Sequence, residues 1–214
     1  CDAFYCTASI TLNYSFRITF FCFFVNIHSV SVVYFLLWCY NERSSFMKGV
    51  FSMGKEVKTN AMRILDRQKI PYQLNTYECG EFIDGVTIAD QLGQSYDMSF
   101  KTLVMIGKSR QYYVFALPVD KEVDMKKAAK AVGEKSVEML PVKDINKVTG
   151  YIRGGCTPIG MKKQFPTVID ESAADLPEMI VSGGRLGEQI ILKPEDLLKV
   201  TGGKFADIIR KEQD

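Results

Sequence analysis

An α+β domain is the fold that the sequence predicts for residues 53–214, on three observations. Two β-rich runs, Lys101–Ile106 and Tyr112–Leu117, are joined by Gly107-Lys108-Ser109-Arg110, as in an antiparallel hairpin. Short helical periods with recognisable caps lie between such runs. The two patterns mix irregularly, without the steady strand–helix alternation that builds a doubly wound parallel sheet.

The elements follow in order. Thr59 is an N-cap before Ala61, Met62, Ile64 and Leu65, which share one helical face, and Ile70-Pro71 ends that helix. Residues 72–78 alternate as a strand does, and Thr87–Leu92 reads as a short helix closed by Gly93. After the hairpin, Asp124 caps a helix over Met125–Val132 that stops at Gly133. Ser136–Leu140 is a strand, and Lys143–Val148 is a short helix ending at Gly150. A loop-rich stretch, 151–166, precedes strands at Thr167–Asp170, Met179–Ser182 and Gln189–Leu192. Pro194 opens a last helix through Val200.

Residues 1–52 are a different kind of sequence. They hold only five charged residues but fourteen of the aromatics, four of the six cysteines, Trp38 and His28. Residues 18–40 are apolar enough to suggest a membrane anchor, but Asn26, His28, Ser29 and Ser31 interrupt the middle. A secretory signal would need a basic n-region and a small-residue cleavage site, and neither is present. The Phe, Tyr, Ser, Ile, Asn and Cys mixture instead suits AT-rich noncoding DNA read in frame. Lys48-Gly49-Val50 can also be encoded by a ribosome-binding site just upstream of a start at Met53. The expectation is therefore a non-native segment over 1–52, with the anchor as its alternative. The two cysteines that remain, Cys79 and Cys156, suit a reducing cytoplasm.

Several chemistries are excluded. No histidine follows His28, so residues 53–214 cannot run Ser-His-Asp or Cys-His catalysis. Two distant cysteines without histidine make no zinc site, so no metal and no cofactor is expected. Residues 155–162 have a P-loop-like glycine spacing, but Met161 stands where the lysine belongs. A net charge of +2 excludes a histone-like nucleic-acid binder and leaves room for one local basic face.

The segments Phe100-Lys101-Thr102-Leu103-Val104, Lys126-Lys127-Ala128-Ala129-Lys130 and Val137-Glu138-Met139 come in that order. Thr149-Gly150-Tyr151-Ile152-Arg153-Gly154-Gly155-Cys156-Thr157-Pro158-Ile159-Gly160 and Val181-Ser182-Gly183-Gly184-Arg185-Leu186-Gly187 follow. Together they resemble the YbaK (EbsC) family of free-standing aminoacyl-tRNA editing proteins, relatives of the editing domain inserted in bacterial prolyl-tRNA synthetases. The resemblance runs from about Lys58 to Ile209 and is absent from 1–52. It implies a single mixed α/β domain around a partly open barrel-like sheet. It also implies removal of cysteine mischarged onto tRNA(Pro), by a route in which the cysteinyl thiol attacks its own ester carbonyl and leaves as a thiolactone. That route needs no enzymic nucleophile, histidine or metal.

The resemblance also implies a site. Lys101 matches the family's essential lysine, and Thr102 beside it could orient the ester. Tyr77 matches a tyrosine lining the aminoacyl pocket, against the plain alternative of a core aromatic. Gly154 and Gly155, with Pro158 after them, could bring backbone N–H groups close to a ligand or simply make a tight turn. Ser182, before Gly183-Gly184, matches the pocket's other side. Cys156 has no neighbour in sequence that would depress its pKa, so it is read as a bystander.

Lys121, Lys126, Lys127, Lys130 and Lys135 fall around one helix, and Arg153, Lys162 and Lys163 flank the Gly-rich loop. Such runs are commonly solvated faces; beside a tRNA acceptor end they become a phosphate-binding rim. The implied partners are the tRNA(Pro) acceptor end and prolyl-tRNA synthetase, which would add affinity to a weak binder. The alternatives are the same fold editing another amino acid such as alanine, and a silent tRNA- or synthetase-binding module.

Overall fold

A computed structural model describes residues 57–79 and 82–210. The 1–52 segment and all three readings of it lie outside the described residues. Among those described, no helix is long and apolar enough to cross a membrane.

Helix α1 (Asn60–Gln68) starts where the Thr59 side chain accepts the Met62 N–H, and it ends at Lys69, held in a left-handed conformation at φ 56°. Its Ala61, Met62 and Leu65 are buried. The Thr59 hydroxyl also donates to the Gly183 carbonyl at 2.6 Å, so one side chain caps a helix and holds a distant turn. Losing the cap and that bond in Thr59→Ala should lower unfolding free energy by about 1–2 kcal/mol, read from the urea midpoint at unchanged slope.

Strand β1 (Gln73–Thr76) follows, then α2 (Gly85–Leu92). The expected hairpin is β2 (Phe100–Gly107) with β3 (Tyr112–Pro118), in the register Lys101 opposite Leu117. Helix α3 (Met125–Val132) lies between Asp124 and Gly133, as read from the sequence. Strand β4 (Val137–Met139), α4 (Val142–Thr149), β5 (Thr167–Asp170), β6 (Met179–Ser182), β7 (Glu188–Leu192) and α5 (Pro194–Thr201) complete the expected set. Two further elements are a 3₁₀ turn at Glu171–Ala173 and β8 (Lys204–Ala206).

The strands form two sheets. One is antiparallel, ordered β1-β7-β6; the other is mixed, ordered β4-β2-β3-β5-β8, with β5 parallel to both β3 and β8. A bridge between Ser99 and Ile180 joins them, where the Ile180 N–H donates to the Met98 carbonyl at 2.7 Å. The sheets meet at that seam without closing, which is the open barrel-like arrangement expected.

Alternation along the strands sets the packing. Ala116 and Ile169 face one core with Leu65 of α1 and Leu197 of α5. Their neighbours Phe115, Leu117 and Val168 face a second core with Ala128 and Ala129 of α3. The mixed sheet is thus covered on both faces, and the start of β2 is left at the seam between the sheets.

Candidate active site

A cavity of about 550 Å³ opens at that seam. It brings together Tyr77, Lys101, Thr102, Arg153, Gly154 and Ser182, which come from four distant stretches of chain.

Lys101 is the second residue of β2. Just beyond β3 the chain folds back, with the Val119 N–H donating to the Ser99 carbonyl at 2.9 Å. The freed Val119 carbonyl accepts the Lys101 ammonium at 2.8 Å. Burial pushes the Lys101 ammonium below the ordinary lysine range, while Asp120, Glu122 and Asp84 pull it back. The result is a partly desolvated cation that feels nearby acids but is hydrogen-bonded to a neutral oxygen.

Next to it, the Thr102 hydroxyl oxygen is buried and has no hydrogen-bond partner among the described residues. A buried hydroxyl left unpaired costs free energy that a ligand can return. Tyr77 follows β1, tied by its N–H to the Gly187 carbonyl at 2.9 Å. Burial raises its phenol above the usual range, so it stays a neutral donor.

Ser182 ends β6. Its hydroxyl donates to the Gly154 carbonyl at 3.5 Å and accepts the Gly184 N–H at 3.4 Å, long contacts that a ligand can replace. Gly154 sits at φ +82°, and a Cβ there would lie 2.7 Å from the Leu186 side chain. Gly155 is buried, its N–H donates to the Ile152 carbonyl at 3.1 Å, and a Cβ would stand 2.9 Å from the Arg185 backbone. Gly155 and the buried Pro158 do not line the cavity, and Gly155 stands instead against the Arg185 backbone.

The basic residues divide. The Arg153 guanidinium lies 4.0 Å over the Phe82 ring at the cavity. Lys126, Lys127 and Lys130 do not line it: their helix packs on the second core, and the Lys127 ammonium is bound by Asp207 at 2.7 Å and by the Ile209 carbonyl. Lys162 caps the end of α4 by donating to the Asn146 and Lys147 carbonyls, while Lys163 is exposed, and neither lines the cavity. Lys121 pairs with Asp120. Of the basic residues expected to form a rim, Arg153 is the one that lines the cavity. Cys156 does line the cavity, but burial pushes its thiol up to about 12, so it stays protonated.

Sequence reading passed over several lining residues. Asp84 caps α2, accepting the Val86 and Thr87 N–H groups, and the Asp-x-x-Thr spacing could have revealed it. Met139, Leu140, Val142 and Ile145 form an apolar wall drawn from the end of a strand and from a helix that were legible as elements but not as cavity lining, and nothing in the sequence marked Phe82 or Glu188.

The aminoacyl-tRNA editing domain family matches residues 86–200. Over 156 residues, 72% of this chain and 95% of the relative, the sequence is 47% identical to EbsC of Enterococcus faecalis, named as a candidate Cys-tRNA(Pro)/Cys-tRNA(Cys) deacylase. A solved structure described as a candidate trans-editing enzyme for prolyl tRNA synthetase aligns with TM-score 0.62 and 22% identity, covering 73% of this chain and all of that one. Another, of a hypothetical protein, aligns with TM-score 0.66 and 20% identity, covering 71% of this chain and all of that one. At these identities the structures bear on the fold alone. The matched span contains β2, the Gly154 loop and Ser182, and nearly half of the residues agree with a relative along almost its whole length: the chain belongs to the aminoacyl-tRNA editing domain family.

Proposed function

We propose that this chain is a trans-editing deacylase that removes cysteine mischarged onto tRNA(Pro). The observation that carries the reading is the cavity at the seam, where a half-buried ammonium, an unpaired buried hydroxyl and a loosely held serine converge beside an apolar wall. The similarity to EbsC, named for that substrate, supports it.

The chemistry follows from what converges. The cysteinyl Sγ of the substrate attacks its own ester carbonyl carbon, a C–S bond forms and the C–O bond to the ribose breaks. The thiol proton ends on the departing ribose oxygen, so the products are cysteine thiolactone and tRNA, with no water consumed. Lys101 stabilises the charge that develops on oxygen, and the Thr102 hydroxyl gains the ester as its missing partner. Ser182 and Gly154 hold the thiol and carbonyl in ring-closing geometry; such positioning contributes up to ~7–11 kcal/mol. Arg153 on Phe82 offers a charge and a stacking surface to the terminal adenosine and its phosphate. Prolyl-tRNA synthetase is the proposed partner that supplies the remaining tRNA affinity.

The test is deacylation of Cys-, Ala- and Pro-charged tRNA(Pro) by the purified protein. Rapid loss of cysteine with little loss of proline is expected, and faster release of alanine than of cysteine would overturn the assignment. Cys156→Ala should leave the cysteine rate nearly unchanged, because the thiol it removes is protonated. A collapsed rate with an intact fold would make Cys156 the nucleophile.

A further inference from the structure

We propose that Glu188 binds the free α-ammonium group of the aminoacyl ester and so restricts the site to substrates with an unblocked amine. The inference rests on the deacylase reading above and assigns a residue to one part of that substrate.

Glu188 opens β7 opposite Thr76 of β1, and its backbone carbonyl accepts the Gly183 N–H at 2.8 Å. It is 5% exposed. Gly183 makes room for it, since a Cβ there would stand 2.8 Å from the Glu188 Cβ. One carboxylate oxygen is ion-paired with the half-exposed Arg185, three residues earlier. The other, Oε2, is buried and has no hydrogen-bond partner among the described residues. A carboxylate oxygen in that position costs several times what a neutral group would, unless something positive or protonated meets it.

The other carboxylate and the side-chain amide of the described lining are engaged. Among the described lining residues the one other carboxylate is Asp84, and both its oxygens are spent on the start of α2. Gln189 is locked in a side-chain amide network with Asn75 and Gln94. Glu188 alone offers an unspent anionic acceptor.

An aminoacyl ester carries its ammonium on the carbon next to the carbonyl that Lys101 and Thr102 would hold. That cation must be desolvated when the ester enters, and a buried carboxylate with a free oxygen is its chemical complement. A peptidyl or N-acylated ester presents no cation there and leaves Oε2 unpaired, so the same feature rejects it.

Two non-hydrolysable probes test this by calorimetry: 3′-amido-linked cysteinyl adenosine, and its desamino counterpart carrying a 3-mercaptopropionyl group. The wild-type protein is expected to bind the amine on the order of 30-fold more tightly, the range of a charge-assisted buried bond. In Glu188→Gln the preference should shrink to a few-fold, with the desamino compound bound as before. Equal wild-type affinity for the two probes overturns the proposal without any variant, and so does a preference that survives in a folded Glu188→Gln. Should the amine preference hold while the wild-type protein leaves Cys-tRNA(Pro) intact, the deacylase reading falls and the assignment of Glu188 stands.

Discussion

Lys101→Ala is expected to reduce deacylation of Cys-tRNA(Pro) on the order of 100-fold, as loss of one positioned charge or donor commonly does. Stability should change little. The side chain is half-buried at the start of β2 and makes one hydrogen bond, to the Val119 carbonyl, which neighbours or solvent can satisfy. The pH profile separates a charge role from a steric one. Burial lowers the Lys101 pKa, so the cationic form is lost as pH rises through a value below the ordinary 10.5. Substrate thiol ionisation acts oppositely, raising the rate as pH climbs toward ~8.5. The wild-type rate should therefore rise and then fall, with the falling limb assigned to Lys101. Single-turnover rates across that range, corrected for spontaneous ester loss, are the measurement. A variant that keeps either the full rate or the falling limb removes Lys101 from the reaction.

Local signals made much of the fold legible. Asp124 and Gly133 bracket α3 because a side-chain cap and a left-handed stop act within one turn of chain. The β2–β3 hairpin was readable for the same reason. Strand β8 was not, because three residues after Gly202-Gly203 become a strand only by parallel pairing with β5, far away in sequence. The site shows the same division. Lys101, Gly154 and Ser182 stand out by family motif, and the fold gathers them at one seam. The lysines of α3 could not be placed from sequence. Which way that helix faces is decided when Ala128 and Ala129 pack on Met105 and Phe115, and this sets Lys127 on Asp207, away from the cavity lining. Glu188 was invisible for a related reason. An acid before a strand ordinarily faces water, and only the bare Gly183 beneath it and Arg185 beside it allow it to be buried.

If the substrate supplies its own nucleophile, replacing cysteine by serine on tRNA(Pro) should slow release on the order of 100-fold or more. The two side chains are nearly isosteric, so the cavity at the seam admits both. They differ in the attacking atom: a thiol is a few per cent thiolate near neutral pH and intrinsically nucleophilic, whereas a hydroxyl is neither without a base to activate it. Among the described lining residues the one carboxylate with a free oxygen is Glu188, which is ion-paired with Arg185 and is assigned above to the substrate ammonium rather than to the nucleophile. No histidine follows His28, Asp84 is spent on its helix, and the Cys156 thiol is held protonated by burial. Water would face the same want of activation as serine, so the first product should be cysteine thiolactone, which opens to free cysteine only afterwards. Trapping it with hydroxylamine under single-turnover conditions, alongside the Cys and Ser rates, decides the matter. Equal rates for the two esters, with free cysteine and no trapped thiolactone, would mean that a bound water carries the attack, and the work of Lys101 and Thr102 would then be to orient that water.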